Sequence, residues 1–260
     1  MPEKIWLKIK AEISEQIIHE PVLASFLSKR VNQHDSFESA LSDLLASKLS
    51  SDDLPVSTLK NFIYEAFLED SSIIDSAIND LIAFKQRDPA VKAYSDIMLY
   101  FKGFQAIQAY RVANWLWKHQ RENLAFYLQS LISQVFTLDI HPAAEIGSGI
   151  MLDHATGIVI GETAVLQDNI SIMQGVTLGG TGNERGDRHP KINSGVLIGS
   201  NAQVIGNITV GEGAKIGSGS VVLDDIEPHT TVAGIPAVVI GKPKVDQPAL
   251  DMDHILNSTE

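Results

Sequence analysis

Residues 198–222 read IGSNAQ-VIGNIT-VGEGAK-IGSGSV-V, and their spacing decides the fold. Every sixth residue, Ile198, Val204, Val210, Ile216 and Val222, is aliphatic, and four positions beyond each guide stand Ala202, Ile208, Ala214, Ser220 and Ile226, all small or aliphatic. The same rhythm runs upstream through Ile160, Leu166, Ile172 and Leu178, with Ala164, Ile170 and Val176 at the fourth position beyond. Glycine follows the guide residue at Gly161, Gly199, Gly211 and Gly217. This is the hexapeptide repeat of a parallel β-helix, in which three short strands and three tight turns make each triangular coil. The guide side chain points into the prism, and the small residues allow the corners. An earlier pair, Ile146 and Leu152, keeps the six-step but is offset by two from Ile160, so a bulge is expected near Thr156-Gly157.

Working outward, the repeat is interrupted between Leu178 and Ile198 by a polar, glycine-rich stretch, Gly179 to Pro190, which must leave the prism as a loop. Such insertions project on one side of a solenoid and often carry binding groups. The register ends near Pro228, and Gly234-Ile235-Pro236-Ala237 with Gly241-Lys242-Pro243 reads as a final turn and cap. Residues 246–260 are acidic and poor in apolar side chains, which predicts a mobile tail. Upstream, from Lys4 to about Phe136, apolar residues recur at three and four, the period of helices. Helices are expected over Ile5–Ile18, ended by Pro21; over a segment capped by Ser36 with Ala40, Leu41, Leu44, Leu45 and Leu49 on one face; over Ser57–Leu68; and over Ser71–Phe84. Pro89 restricts Asp88 to an extended conformation and suits a first helical turn, so Asp88 is expected as an N-cap with a helix from Ala90. Breaks are expected at Gly103 and around His119. The domains are then 1–138, all-helical; 139–243, the β-helix with a loop at 179–195; and 244–260, the tail.

The composition narrows function. The chain has 260 residues with a net charge of −12, which opposes a nucleic-acid or anionic-membrane surface. It has no cysteine, which excludes a disulfide framework, a thiolate zinc site and a cysteine nucleophile. No apolar run approaches the roughly 20 residues that cross a bilayer. The Met1-Pro2-Glu3-Lys4-Ile5-Trp6 start does not resemble a signal peptide, and a cytoplasmic location is expected.

The remaining candidates are histidines, the acids beside them and the basic loop. His19, His34 and His119 lie in helical or linking sequence without catalytic-looking neighbours. His154 sits beside Asp153 where the register breaks, and Asp139 precedes it by fifteen residues. One coil takes about eighteen residues, so Asp139 can return near His154. A carboxylate on one imidazole nitrogen fixes the tautomer and leaves the other nitrogen free as a base. With no nucleophile-elbow serine in the sequence, the attacked hydroxyl would come from a substrate. On the residues alone other readings stand open: Asp-His pairs on turns are often surface hydrogen-bonding groups, His141 before Pro142 can simply end the helical domain, and Arg188-His189 can belong to a solvated loop.

Five runs carry a resemblance: Asp139-Ile-His-Pro-Ala-Ala144, Gly149 to Gly157, Thr177-Leu-Gly-Gly-Thr-Gly182, Gly186-Asp-Arg-His-Pro-Lys191 and Arg87-Asp-Pro-Ala90. Together they resemble bacterial serine O-acetyltransferase, over almost the whole chain. The resemblance implies an α+β protein of two segregated domains, a helical N-terminal domain followed by a left-handed parallel β-helix. It implies acetyl transfer from acetyl-CoA to the hydroxyl of L-serine, for cysteine biosynthesis, with L-cysteine inhibiting at the serine site and no bound cofactor or metal. By the matching positions, His154 is the general base and Asp139 orients it; Asp88 and Asp153 hold the substrate ammonium; Arg188 and His189 engage its carboxylate. These charges suit a zwitterion. Backbone N–H groups near Gly179 and Gly180 are candidates for the oxyanion, and Gly180, Ser200, Lys215, Ser218 and Lys242 are nominated for CoA. The resemblance also implies trimers paired through the helices into a hexamer, and a C-terminus that docks by a terminal isoleucine into O-acetylserine sulfhydrylase. The Asn257-Ser258-Thr259-Glu260 end departs from that last pattern. The alternatives are transfer to another small hydroxyl acceptor, a zinc β-helix carbonic anhydrase using His141, His154, His189 or His229, and a non-catalytic scaffold.

Overall fold

The computed structural model describes residues 2–182 and 185–256. The first half is helical: α1 Pro2–His19, α2 Ala24–Leu27, α3 Phe37–Leu49, α4 Val56–Glu69, α5 Ser71–Arg87, α6 Tyr94–Tyr100, α7 Lys102–Lys118 and α8 Glu122–Phe136. Their buried faces follow the expected spacing, as with Ile5, Trp6, Ile9 and Ile13 on α1. Ser36 caps α3, its hydroxyl accepting from the Ser39 N–H at 3.2 Å. No described helix is long and apolar enough to cross a membrane.

Two expectations here need correction. Asp88 is not an N-cap: α5 runs on to Arg87, Asp88 flanks its C-terminus, and the next helix starts only at Tyr94. The Asp88 carboxylate instead accepts the Ala90 N–H at 2.8 Å in a local turn. A carboxylate from another element serves the start of α6, where Glu12 of α1 accepts the N–H groups of Tyr94 (3.2 Å) and Ser95 (2.8 Å). Gly103 is likewise no break. The helices part at Phe101, and Gly103 lies in the first turn of α7, where a Cβ would come within 2.0 Å of the Leu152 carbonyl oxygen. Its small size permits helix and prism to touch.

Beyond Leu138 the chain winds into three parallel faces. Face one holds Asp139–Ile140, Val159–Ile160, Thr177–Gly179, Gln203–Ile205 and Val221–Val222. Face two holds Glu145–Ile146, Val165–Leu166, Lys191–Ile192 and Thr209–Val210. Face three holds Met151–Leu152, Ser171–Ile172, Leu197–Ile198, Lys215–Ile216 and the closing antiparallel hairpin Thr231–Gly234 with Ala237–Gly241. The guide residues from Ile160 to Val222 are buried inside the prism, each worth roughly 1.5–3 kcal/mol of apolar transfer.

The offset between Leu152 and Ile160 is absorbed slightly earlier than expected. Two extra residues enter at His154 and Ala155, both in the left-handed region (φ 53° and 59°), with Gly157 following at φ 74°. The loop is also shorter than 179–195: Gly179 belongs to a strand, and Ile192 is back in register opposite Leu166 and Val210. The residues after 244, expected as a mobile tail, lie against face three up to Leu256. A short helix, α9 Pro248–Asp251, buries Ala249, and the Ala249 carbonyl accepts the Ser171 hydroxyl at 2.8 Å. Sequence polarity misled because this segment docks through backbone groups; residues 257–260 lie outside the described residues.

The end of a parallel stack leaves backbone groups unpaired, and here side chains of α5 and α7 meet them. Asn114 donates to the carbonyls of Pro142 (2.7 Å) and Ala144 (3.1 Å), Tyr110 to that of Ala144, and Arg111 to those of Ile146 (3.2 Å) and Gly147 (2.8 Å). Fully buried Asp80 accepts from the Ile150 N–H (2.8 Å), Gln108 (2.9 Å) and Arg111 (2.8 Å). Replacing Asp80 by Ala strands a buried guanidinium and an N–H together. Urea unfolding is expected to show a loss of about 3–5 kcal/mol.

Candidate active site

The start of the turn from face three to face one (residues 153–158) forms one wall of a cleft of about 330 Å³. Phe84 and Asp88 at the end of α5, Tyr100 to Gly103 across the junction of α6 and α7, and Leu152 to His154 line it. The cleft therefore brings together three of the nominated residues, Asp88, Asp153 and His154. Burial pushes the Asp153 carboxyl above its ordinary range, His154 pulls it down, and the negative charge of Asp88 pushes it up again. Two carboxylates so placed call for a cation between them. The His154 side chain is 73% exposed, with Nε2 3.9 Å from the Asp153 carboxylate.

Asp139 stands beside this turn, its N–H bonded to the Ile158 carbonyl at 2.8 Å. Its carboxylate accepts from Gln129 of α8 at 2.6 Å, and among the described residues no hydrogen bond joins it to His154. The expected aspartate–imidazole bond is thus not formed within the single chain.

Arg188 and His189 occupy a different corner, on the loop from face one to face two. The His189 ring, 7% exposed, packs where a Gly161 Cβ would stand. Its Nδ1 accepts the Thr163 N–H (3.2 Å) and lies 2.9 Å from the Thr163 hydroxyl, which itself accepts the N–H groups of Arg188 (3.0 Å) and His189 (3.1 Å). A backbone N–H can only donate, so the neutral ring carries its hydrogen on Nε2 and presents a donor there. Burial first, then the Arg188 charge, lowers the His189 pKa and favours that neutral form. Arg188 pairs with Glu162 at 2.6 Å.

Sequence reasoning passed over Glu162, Thr163, Tyr100, Phe101 and Lys102. Gly161-Glu162-Thr163 has the look of an ordinary coil corner, and the cleft residues announce themselves only once α7 is seen against Leu152. Of the CoA nominees, Ser200 and Ser218 lie on the same corner as His154, and Gly180 opens the loop beneath Arg188. Lys242 is exposed beyond the hairpin. Lys215 is 3% exposed, its ammonium bonded to the Ile255 carbonyl at 2.7 Å and 3.7 Å from Asp253; with the tail in this position it is not open to a ligand. Of the histidines considered for zinc, His141 is wedged between Trp117 and Phe126, and His229 bonds the Asp246 carbonyl. Among the described residues no three His, Asp or Glu side chains converge as a metal-binding group.

The coils are those of a hexapeptide-repeat transferase: the family profile described as "Bacterial transferase hexapeptide (six repeats)" matches residues 189–224. A second profile, "Serine acetyltransferase, N-terminal", matches residues 5–109. The serine acetyltransferase of Escherichia coli K12 is 54% identical over 255 residues, 98% of this chain and 93% of that one. A Vibrio cholerae serine acetyltransferase structure superposes with a TM-score of 0.97 at 56% identity, covering 99% of this chain and 100% of that one. Another, a serine acetyltransferase in complex with cysteine, gives 0.96 at 50% identity and covers 98% and 99%. The chain belongs to the serine acetyltransferase family, and its activity is the O-acetylation of serine.

The raised Asp153 pKa carries a sign. The native state favours the protonated carboxyl, so this group contributes stability at low pH that is lost as pH rises through its raised folded value. Asp153→Asn is therefore expected to raise Tm at neutral pH. In a pH series of thermal melts the gain should vanish as pH falls toward the ordinary carboxylate value.

Proposed function

We propose that acetyl transfer to L-serine runs by general-base catalysis from His154, at a site that two neighbouring copies complete. The supporting observation is the split of the nominated residues between two corners of one prism. Asp88, Asp153 and His154 lie at the edge of face one that follows face three, and Arg188 and His189 lie at the edge that precedes face two. A zwitterion is too small to span a face, whereas threefold packing of prisms sets the first corner of one copy against the second corner of the next.

In this reading the serine ammonium sits between Asp88 and Asp153, and its carboxylate meets Arg188 and the Nε2–H of His189 from the adjoining copy. His154 takes the hydroxyl proton as the serine oxygen attacks the acetyl carbonyl of acetyl-CoA. The tetrahedral intermediate collapses, the C–S bond breaks, and the CoA thiolate recovers the proton from the imidazolium. Asp139 exchanges its Gln129 bond to face the imidazolium. Acetyl-CoA is a co-substrate, lying along the corner column that carries Ser200 and Ser218 above His154; a Brucella abortus relative, 47% identical with a TM-score of 0.90, was solved in complex with coenzyme A. L-Cysteine differs from serine by one atom, so the same groups would hold it, and a relative binds it; inhibition by cysteine follows. Exposed Ile18, Val22 and Leu23 on the helical half supply an apolar surface for pairing trimers.

His154→Ala is expected to lower turnover by about 10²–10⁴-fold with the oligomer intact, read by CoA release with serine and acetyl-CoA. Near-normal turnover would remove the base assignment. Coexpression of His154→Ala with His189→Ala chains tests the shared site: mixed oligomers should recover a fraction of the activity that neither variant has alone. If every mixture stays inactive, each site is built within one chain.

A further inference from the structure

The turn that bears His154 is held in a backbone conformation that ordinary residues avoid, with two consecutive non-glycine residues at positive φ. Such a conformation persists only where the surroundings impose it. Ala155 is fully buried against Gly103, the Gly157 N–H bonds the Thr137 carbonyl at 2.7 Å, and the Thr156 carbonyl accepts the Gly175 N–H at 2.8 Å. One side chain adds a charge to this set. Lys102, first residue of α7, donates from Nζ to the Thr156 hydroxyl at 2.5 Å and to the Thr137 hydroxyl at 2.9 Å. The Thr137 hydroxyl in turn donates to the Phe136 carbonyl at 2.6 Å, so its lone pairs face the ammonium.

These two threonines are not equivalent neighbours. Thr156 belongs to the His154 turn, and Thr137, itself left-handed at φ 60°, leads by one residue into the Asp139 strand. The Lys102 side chain also lines the cleft with Asp88, Asp153 and His154.

We propose that Lys102 is a positioning residue for the acetyl transfer: by bridging Thr156 and Thr137 it sets the His154 turn against the Asp139 strand, so that imidazole and carboxylate meet in register when substrate is bound. The proposal rests on His154 being the base. An ammonium suits the task because its three donors can serve two hydroxyls at once and no other side chain of that length carries as many from one atom. The clamp spans the junction between the helical half and the prism, so the placement of the base depends on how α7 is seated.

The test compares Lys102→Met, which keeps the length and loses the donors, with Thr156→Val, which keeps the shape and loses the acceptor, and Thr156→Ser, which keeps the acceptor. Lys102→Met and Thr156→Val should each lower kcat, on the order of 10²-fold for a displacement near 1 Å, without raising KM for serine. Tm and oligomer size should match the unmodified enzyme. Thr156→Ser should retain activity, and the double variant Lys102→Met/Thr156→Val should be no worse than either single one, as expected for one shared interaction. Unchanged kcat in Lys102→Met overturns the inference, as does full additivity of the two substitutions. A rise in KM for serine with kcat preserved would make Lys102 a substrate contact instead. If His154→Ala is inactive while Lys102→Met is normal, the positioning role alone falls; if His154→Ala is active, the base assignment falls with it.

Discussion

The structure depends on the way the open end of a β-helix is closed. Stacked parallel coils satisfy one another's backbone groups everywhere except at the two ends, and the first coil offers its N–H and C=O groups to whatever lies beneath. Here α7 meets that edge with Tyr110, Arg111 and Asn114, while Asp80 of α5 holds Arg111 and the Ile150 N–H together. Arg87 extends the same pattern to the Gly149 carbonyl (2.9 Å) and the Ser171 hydroxyl (3.1 Å). Burial pushes its guanidinium down to about 10, still charged at neutral pH. Helices that at first look like a separate domain are therefore the floor of the prism, and the cleft lies at their common edge.

That seam explains what could be read from the sequence and what could not. The faces of the prism were legible because a guide residue every six positions leaves a periodic trace, and α3 was legible from a local cap. The His154 step was legible as an offset in register, though its backbone conformation was not. Gly103 and the segment after 244 were misread for a shared reason: their partners are distant in sequence. Gly103 answers to the Leu152 carbonyl, and the tail docks by hydrogen bonds to Ser171 and Lys215 that composition does not record; Asp88 was misread because the helix after it starts only at Tyr94, where Glu12 of α1 takes the N–H groups.

The same limit applies to the cleft. Residue types and motif resemblance nominated Asp88, Asp153 and His154, and all three line one cavity. They gave no hint that Asp139 would bond Gln129, that Arg188 would pair with Glu162, or that Thr163 would dictate the His189 tautomer. The first depends on α8 lying against the entry strand, and the other two on a corner of one coil meeting the loop of the next, which no single residue announces.

The two-residue excess at His154 and Ala155 also separates what the chain can vary from what it cannot. A solenoid lengthens by whole coils, and the histidine lies on the first of them, locked to the helices below. Coils could be added or lost at the far end, lengthening or shortening the corner column above His154, while that turn stayed where it is. Removing those two residues would restore an unbroken sixfold metre from Ile140 to Leu178 and take the exposed imidazole from that corner. The irregularity in the repeat is thus what lets a uniform prism turn a side chain into the cleft it shares with the helices.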